Sequence, residues 1–207
     1  MENLGKLFGG IAKVKLMRLF LFNPDASYDL LDIITRTKTK PRETKEEVIN
    51  LQKLGLLKKK GFYKDFMKKK GKKETVVKKK TSGWSLDGSF PYMVALKNLL
   101  INVTLPAHED IARRIGHTGR IKLVLFSGVF IQDWDSRVDL LVVGDGIKHG
   151  KLENVIHTLE AEIGRELRYT VFDTPDFHYR LSIYDKLVRD ILDYPHIKVV
   201  DKLGVTD

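Results

Sequence analysis

The sequence predicts an α/β (α+β) fold in two parts. A basic, helical N-terminal part ends in a two-stranded hairpin, and a C-terminal part is built on a small mixed sheet covered by helices. Three observations predict this. Apolar residues keep helical spacing up to Gly55, then give way to β-formers set between lysine triplets. From Ile121 onward, short apolar strands alternate with amphipathic helices. The charge is also divided: residues 1–90 hold 22 Lys and Arg against 10 Asp and Glu, whereas residues 91–207 hold 15 against 17. Such a division is expected of a basic binding module joined to a near-neutral domain, and 207 residues suffice for two small cores.

Taken in order, Leu7, Phe8, Ile11, Val14, Leu16, Met17, Leu19, Phe20 and Leu21 describe one buried helix over residues 5–22, ended by Asn23-Pro24. Ser27 is placed to cap a short second helix, Tyr28 to Arg36, and Thr37-Lys38-Thr39-Lys40 forms a polar turn. Pro41 falls in the first turn of a third helix, where its missing N–H costs nothing. Val48, Leu51 and Leu54 share its inner face, Lys40, Arg42, Thr44 and Lys45 lie on its exposed N-terminal side, and Gly55 stops it.

The stretch from Leu56 to Lys80 follows at once. Its lysine triplets, Lys58–Lys60, Lys68–Lys70 and Lys78–Lys80, enclose Phe62, Tyr63, Phe66, Met67, Thr75, Val76 and Val77. With Gly71-Lys72-Lys73 as the turn, this is an antiparallel hairpin with a basic tip. So many ammonium groups need water or a polyanion beside them. Trp84, on the way out, is expected to pack against the helices rather than stack on a base.

Helix, helix, turn, helix and basic hairpin is the order of a winged helix. The run INLQKLGLLKKK, Ile49 to Lys60, resembles the recognition-helix-to-wing junction of bacterial and archaeal winged-helix transcriptional regulators. The resemblance covers residues 5–86 and implies double-stranded DNA as partner. The third helix would enter the major groove while wing lysines reach flanking phosphates. The expected DNA-binding residues are Lys38, Lys40, Arg42, Thr44, Lys45, Lys58, Lys59, Lys60, Lys68, Lys69, Lys70, Lys72, Lys73 and Lys78. Arg42, Thr44 and Lys45 are the base-reading candidates.

Domain boundaries follow: 1–88 for the DNA-binding part, 89–104 for a connector, 105–207 for the second domain. Pro91 opens the connector helix, which runs to about Asn102 and is apolar on more than one face; a homodimer contact is expected there. The second domain reads helix, strand Ile121–Phe126, strand Val138–Val143, helix, strand Arg168–Phe172 and helix. Thr174-Pro175-Asp176 opens the last helix, Ser182–Asp185 restarts it as a capping box, and Ile197–Val200 adds an edge strand.

The run LVLFSGVFIQDWDSRVDLLVVGD, Leu123 to Asp145, resembles the signature of the minimal nucleotidyltransferases related to DNA polymerase beta. That family holds divalent cations on paired strand carboxylates, and the cations bridge nucleotide phosphates. Here the pattern is degraded. Ser127-Gly128 stands for Gly-Ser, Arg137 replaces the first carboxylate, and Asp139 keeps the second. Val129, Phe130 and Ile131 are apolar where phosphate contacts belong; Asp133 and Asp135 sit on a loop of other spacing, and Asp173 ends the third strand. Ser127, Gly128 and Asp139 are thus vestigial candidates, with Arg137 expected to pair with Asp139 and repel magnesium. No cofactor is expected. The alternative is an active nucleotidyltransferase using magnesium and a nucleoside triphosphate, with the basic part holding its substrate.

Cysteine is absent, which excludes disulfides and thiolate metal sites, and the six histidines show no zinc spacing. No stretch approaches a membrane span or a secretory signal, so a cytoplasmic location is expected. The reading is therefore a DNA-binding transcriptional regulator whose second domain serves oligomerisation or sensing.

Overall fold

The computed structural model describes residues 2–70, 73–102 and 106–205, without the side chains of 68–70, 73, 74 and 102. The chain is mixed α/β with two separate sheets, and it divides into two compact units. One comprises Met1–Val103 with Ala161–Arg165, the other Thr104–Glu160 with Glu166–Asp207.

In the first unit, α1 (Glu2–Phe8) and α2 (Ile11–Phe22) replace the single helix expected over 5–22. The break falls at Gly9, where φ is +79°, a backbone state open to glycine at no steric cost. Next come β1 (Ser27–Tyr28), α3 (Leu30–Thr37) and α4 (Pro41–Lys53). Ser27 is not a cap. It pairs with Ser85 in the sheet, and Asp29 caps α3 through a reciprocal capping box with Asp32. Strands β2 (Leu57–Lys70) and β3 (Lys73–Leu86) form the hairpin, in unbroken register from Leu57↔Leu86 to Lys70↔Lys73. Lys73 therefore belongs to β3, while Gly71 and Lys72 of the expected turn lie outside the described residues. The sheet order is β1-β3-β2. Gly83 permits the seam with β1: a Cβ there would lie 2.1 Å from the Tyr28 carbonyl oxygen.

Val14, Leu16, Phe20, Ile33, Val48 and Leu56 are fully enclosed in this unit's core. Arg18 is buried among them. Its Nε donates to the Leu100 carbonyl at 2.9 Å and its Nη1 to the Glu162 carbonyl at 2.7 Å. Loss of hydration, partly offset by the Glu162 charge, pulls its guanidinium down to about 10, still a cation at neutral pH. The connector helix is shorter than expected: α5 (Met93–Lys97) widens into a single π-helical turn over Asn98–Asn102.

The second unit begins with α6 (His108–Gly116). It then carries β4 (Arg120–Phe126), a 3₁₀ turn at Gly128–Ile131, β5 (Leu140–Asp145) and α7 (His149–Ile163). Then follow β6 (Tyr169–Phe172), α8 (Thr174–Ser182), α9 (Lys186–Leu192) and β7 (Ile197–Asp201). The sheet is mixed, with order β6-β5-β4-β7: β4 runs antiparallel to β5 and β7, and β5 runs parallel to β6. The two central strands are buried on both faces over Leu123–Phe126 and Leu140–Gly144, as their apolar runs require. Val138 and Asp139 precede β5 rather than open it, and Asp185, not Ser182, caps α9. Among the described residues no helix is long and apolar enough to cross a membrane.

Candidate functional site

Helix α4 starts where Pro41 fixes the first turn, and Lys40 precedes it in extended backbone. Its outer side carries Arg42, 93% exposed and 3.0 Å from Glu46, with exposed Lys45; Lys38 and Lys40 are exposed just before it. Thr44 is not on that side. Helical spacing puts it in line with Val48 and Leu51, and it is fully buried. Its hydroxyl lies 2.9 Å from the Lys40 carbonyl and 2.7 Å from the Thr39 hydroxyl, which in turn meets Thr37 at 2.7 Å. Thr44 therefore belongs to a hydroxyl chain that holds the turn between α3 and α4, and no base edge can reach it. The residues that do continue the outer stripe from Arg42 are Glu46, Ile49 and Lys53, all exposed. The sequence reading missed them, although i, i+4 and i+7 from Arg42 marks two of the three.

In the hairpin, Lys58, Lys59, Lys60 and Lys78 are exposed as expected, and so are Lys79 and Lys80. Lys58 also lies 3.4 Å from Asp87. Lys68, Lys69, Lys70 and Lys73 are placed by backbone register only, and Lys72 lies outside the described residues. Lys64 behaves differently. Its Nζ lies 2.7 Å from Asp29 Oδ2 and 2.6 Å from Asp32 Oδ1, so the hairpin is tied to the capping box of α3. Burial acts to lower the Lys64 ammonium, and its hydrogen bonds to the two carboxylates outweigh that and raise it. Trp84 packs against the core and donates from Nε1 to Gln52 at 2.8 Å, joining β3 to α4.

The second unit's candidates converge on a different task. Asp139 is fully buried. Its Oδ1 accepts from the Val129 amide at 2.9 Å and its Oδ2 from the Arg168 amide at 2.8 Å. The Arg168 guanidinium adds Nε at 3.3 Å and Nη2 at 3.4 Å. Ser127 is held by the Asp139 carbonyl through its amide at 3.0 Å, and its hydroxyl donates to the Val138 carbonyl. Gly128 has φ +53°, and a Cβ there would lie 2.1 Å from Asp139 Oδ1. The expected Arg137–Asp139 pair is not formed. Arg137 lies before β5 and reaches Asp190 at 2.8 Å, because Arg168, just ahead of β6, already occupies Asp139.

This geometry does not fit the metal ions that the resemblance implies. Both carboxylate oxygens of Asp139 are engaged by amides and a cation, so a metal would have to displace Arg168. Of the nearby carboxylates, Asp133 Oδ1 accepts from the Asp135 amide at 3.1 Å, and Asp190 holds Arg137. What Asp139 does is fasten the 128–131 turn to the strands on either side of it.

No family model, no curated protein and no solved structure matches this chain.

Proposed function

We propose that the chain is a DNA-binding transcriptional regulator whose first unit is a winged helix. The observation that carries this is the coupling of two basic surfaces in one unit. Helix α4 presents Arg42 and Lys45, and the hairpin beside it presents Lys58–Lys60 and Lys78–Lys80 to solvent. The element order supports the reading, with β1 as third strand beside the hairpin in the order β1-β3-β2. So do the bonds from Trp84 to Gln52 and from Lys64 to Asp29, which hold helix and hairpin in one frame. In this reading Arg42, Lys45 and Ile49 face base edges, Ile49 against a thymine methyl, while the hairpin lysines neutralise phosphates.

In the same reading the second unit transfers no nucleotide and serves oligomerisation or sensing. The engagement of Asp139 by Val129 and Arg168 supports this. A homodimer through the exposed Tyr92 and Val94 would supply two half-sites. The test is titration of the full chain against duplex DNA, single-stranded DNA and RNA over a range of salt. Duplex preference with a steep salt dependence is expected. Equal affinity for all three polymers would overturn the regulator reading.

A further inference from the structure

We propose that the hairpin deforms DNA, with the exposed Met67–Val76 pair wedging between base pairs of the duplex that the lysines hold. This rests on the DNA-binding reading above and adds a mode of action to it. The two residues are direct cross-strand partners, 68% and 61% exposed. They lie three rows beyond the row of Lys64 and Lys79, where the hairpin is anchored to Asp29, so about 10 Å further along the strands.

The apolar groups on the opposite face of the hairpin are less open to solvent. Phe66 is only 38% exposed, and the ammonium groups of Lys64 and Lys79 sit 5.8 and 5.9 Å from its ring centre. Its partner Val77 is half-buried. Strand alternation puts Met67 and Val76 on the other face, in line with Lys78 and Lys80 and with Tyr63, which is 72% exposed. That face thus combines Lys78 and Lys80, able to grip phosphates, and Asp65 opposite Lys78 with an apolar pair that phosphate contact does not require. Exposed methyl and thioether groups gain from leaving water, and an unstacked base step offers an apolar slot between flanking phosphates. Kinking the duplex costs elastic energy, which the phosphate contacts of the same face offset.

The experiment uses the full chain and duplexes carrying a fluorescent adenine analogue at TA steps, with a donor and an acceptor dye at the ends. Wild type is expected to raise the analogue's emission and shorten the end-to-end distance. The double variant Met67→Ser/Val76→Thr, altered only at exposed positions, should bind with the same salt slope and lose both signals. Persistence of both signals in the variant overturns the wedge. Wild-type binding with neither signal overturns it too, and leaves the DNA-binding reading standing. No duplex binding by wild type removes both proposals. Wild-type binding to anionic phospholipid vesicles that the variant abolishes, with no signal on DNA, reassigns the pair to a membrane surface and overturns the wedge.

Discussion

Lys64 Nζ stands 2.7 Å from Oδ2 of Asp29, so the residue that caps α3 also anchors the middle of a hairpin 35 positions further along the chain. Partial burial acts to raise the Asp29 carboxyl; the hydrogen bond from Lys64 and the Asp32 amide outweigh it and hold the carboxyl below its ordinary range. The stabilisation from Asp29 is then complete above the ordinary carboxylate range and is lost as pH falls through the lowered folded value. For Lys64, raised on folding, the contribution is complete below the ordinary lysine value and lost as pH climbs through the raised one. Urea midpoints of the first unit's transition should therefore hold level between those limits and fall on the acid side. Asp29→Ala should lower stability by about 1 kcal/mol through the cap alone and flatten the acid limb. An acid limb unchanged in Asp29→Asn would remove this linkage.

The hairpin lysines should set the salt dependence of DNA binding. If roughly five phosphates are neutralised, log K should fall against log salt with a slope near −4.5. Gln at Lys58, Lys59, Lys60, Lys78, Lys79 and Lys80 should weaken all sequences alike and flatten the slope by about 0.9 for each lysine engaged. Fluorescence anisotropy at several salt concentrations measures this, and an unaltered slope would take the hairpin out of the interface.

Arg42→Ala and Lys45→Ala should change sequence preference, since one base contact discriminates by about 1–3 kcal/mol. Thr44→Val should leave the preference untouched and instead cost about 1–3 kcal/mol of stability, because it breaks the buried hydroxyl chain from Thr37. Selection of binding sites from a random pool separates the two classes. A preference altered by Thr44→Val but not by Arg42→Ala would reverse their roles.

Asp139→Ala should destabilise the second unit by about 1–3 kcal/mol, because the Val129 and Arg168 amides lose their buried acceptor while the half-exposed Arg168 guanidinium regains water. Gly128→Ala should act in the same direction, since its Cβ would meet the same carboxylate oxygen. Both changes should appear as a shift in the second unit's unfolding transition with duplex affinity retained. Wild type should transfer no label from nucleoside triphosphates in magnesium or manganese. Transfer abolished by Asp139→Ala in a variant of unchanged stability would restore the enzyme alternative.

Sedimentation of the full chain at micromolar concentration is expected to give a dimer that Tyr92→Asp with Val94→Asp converts to monomer. A wild type that sediments as a single 23.8 kDa species, with or without DNA, would remove the dimer.

Much of the architecture was legible in the sequence, because it rests on local rules. Pro41 and the spacing of Val48 and Leu51 mark α4, and alternation of β-formers with lysines marks the hairpin. The apolar runs Leu123–Phe126 of β4 and Leu140–Val143 of β5 mark central strands covered on both faces. The inward side of Thr44 was also there to be read, four residues before Val48. The helix break at Gly9 was less legible, since apolar periodicity continues across it.

Tertiary structure alone decided which charges meet. Asp139 finds Arg168, 29 positions away, rather than Arg137 two positions away, because the residue just ahead of β6 brings an amide and a guanidinium to the same carboxylate. Arg18, one cation among several on α2 by sequence, is buried because two carbonyl oxygens are brought to it from far along the chain. Lys64 is drawn from the hairpin's solvent-facing lysines by the two carboxylates of a capping box. Periodicity reports which side of an element is apolar. The partner of a charged group depends on how whole elements pack, and a desolvated charge persists only where that packing delivers an opposite charge or a set of hydrogen-bonding groups.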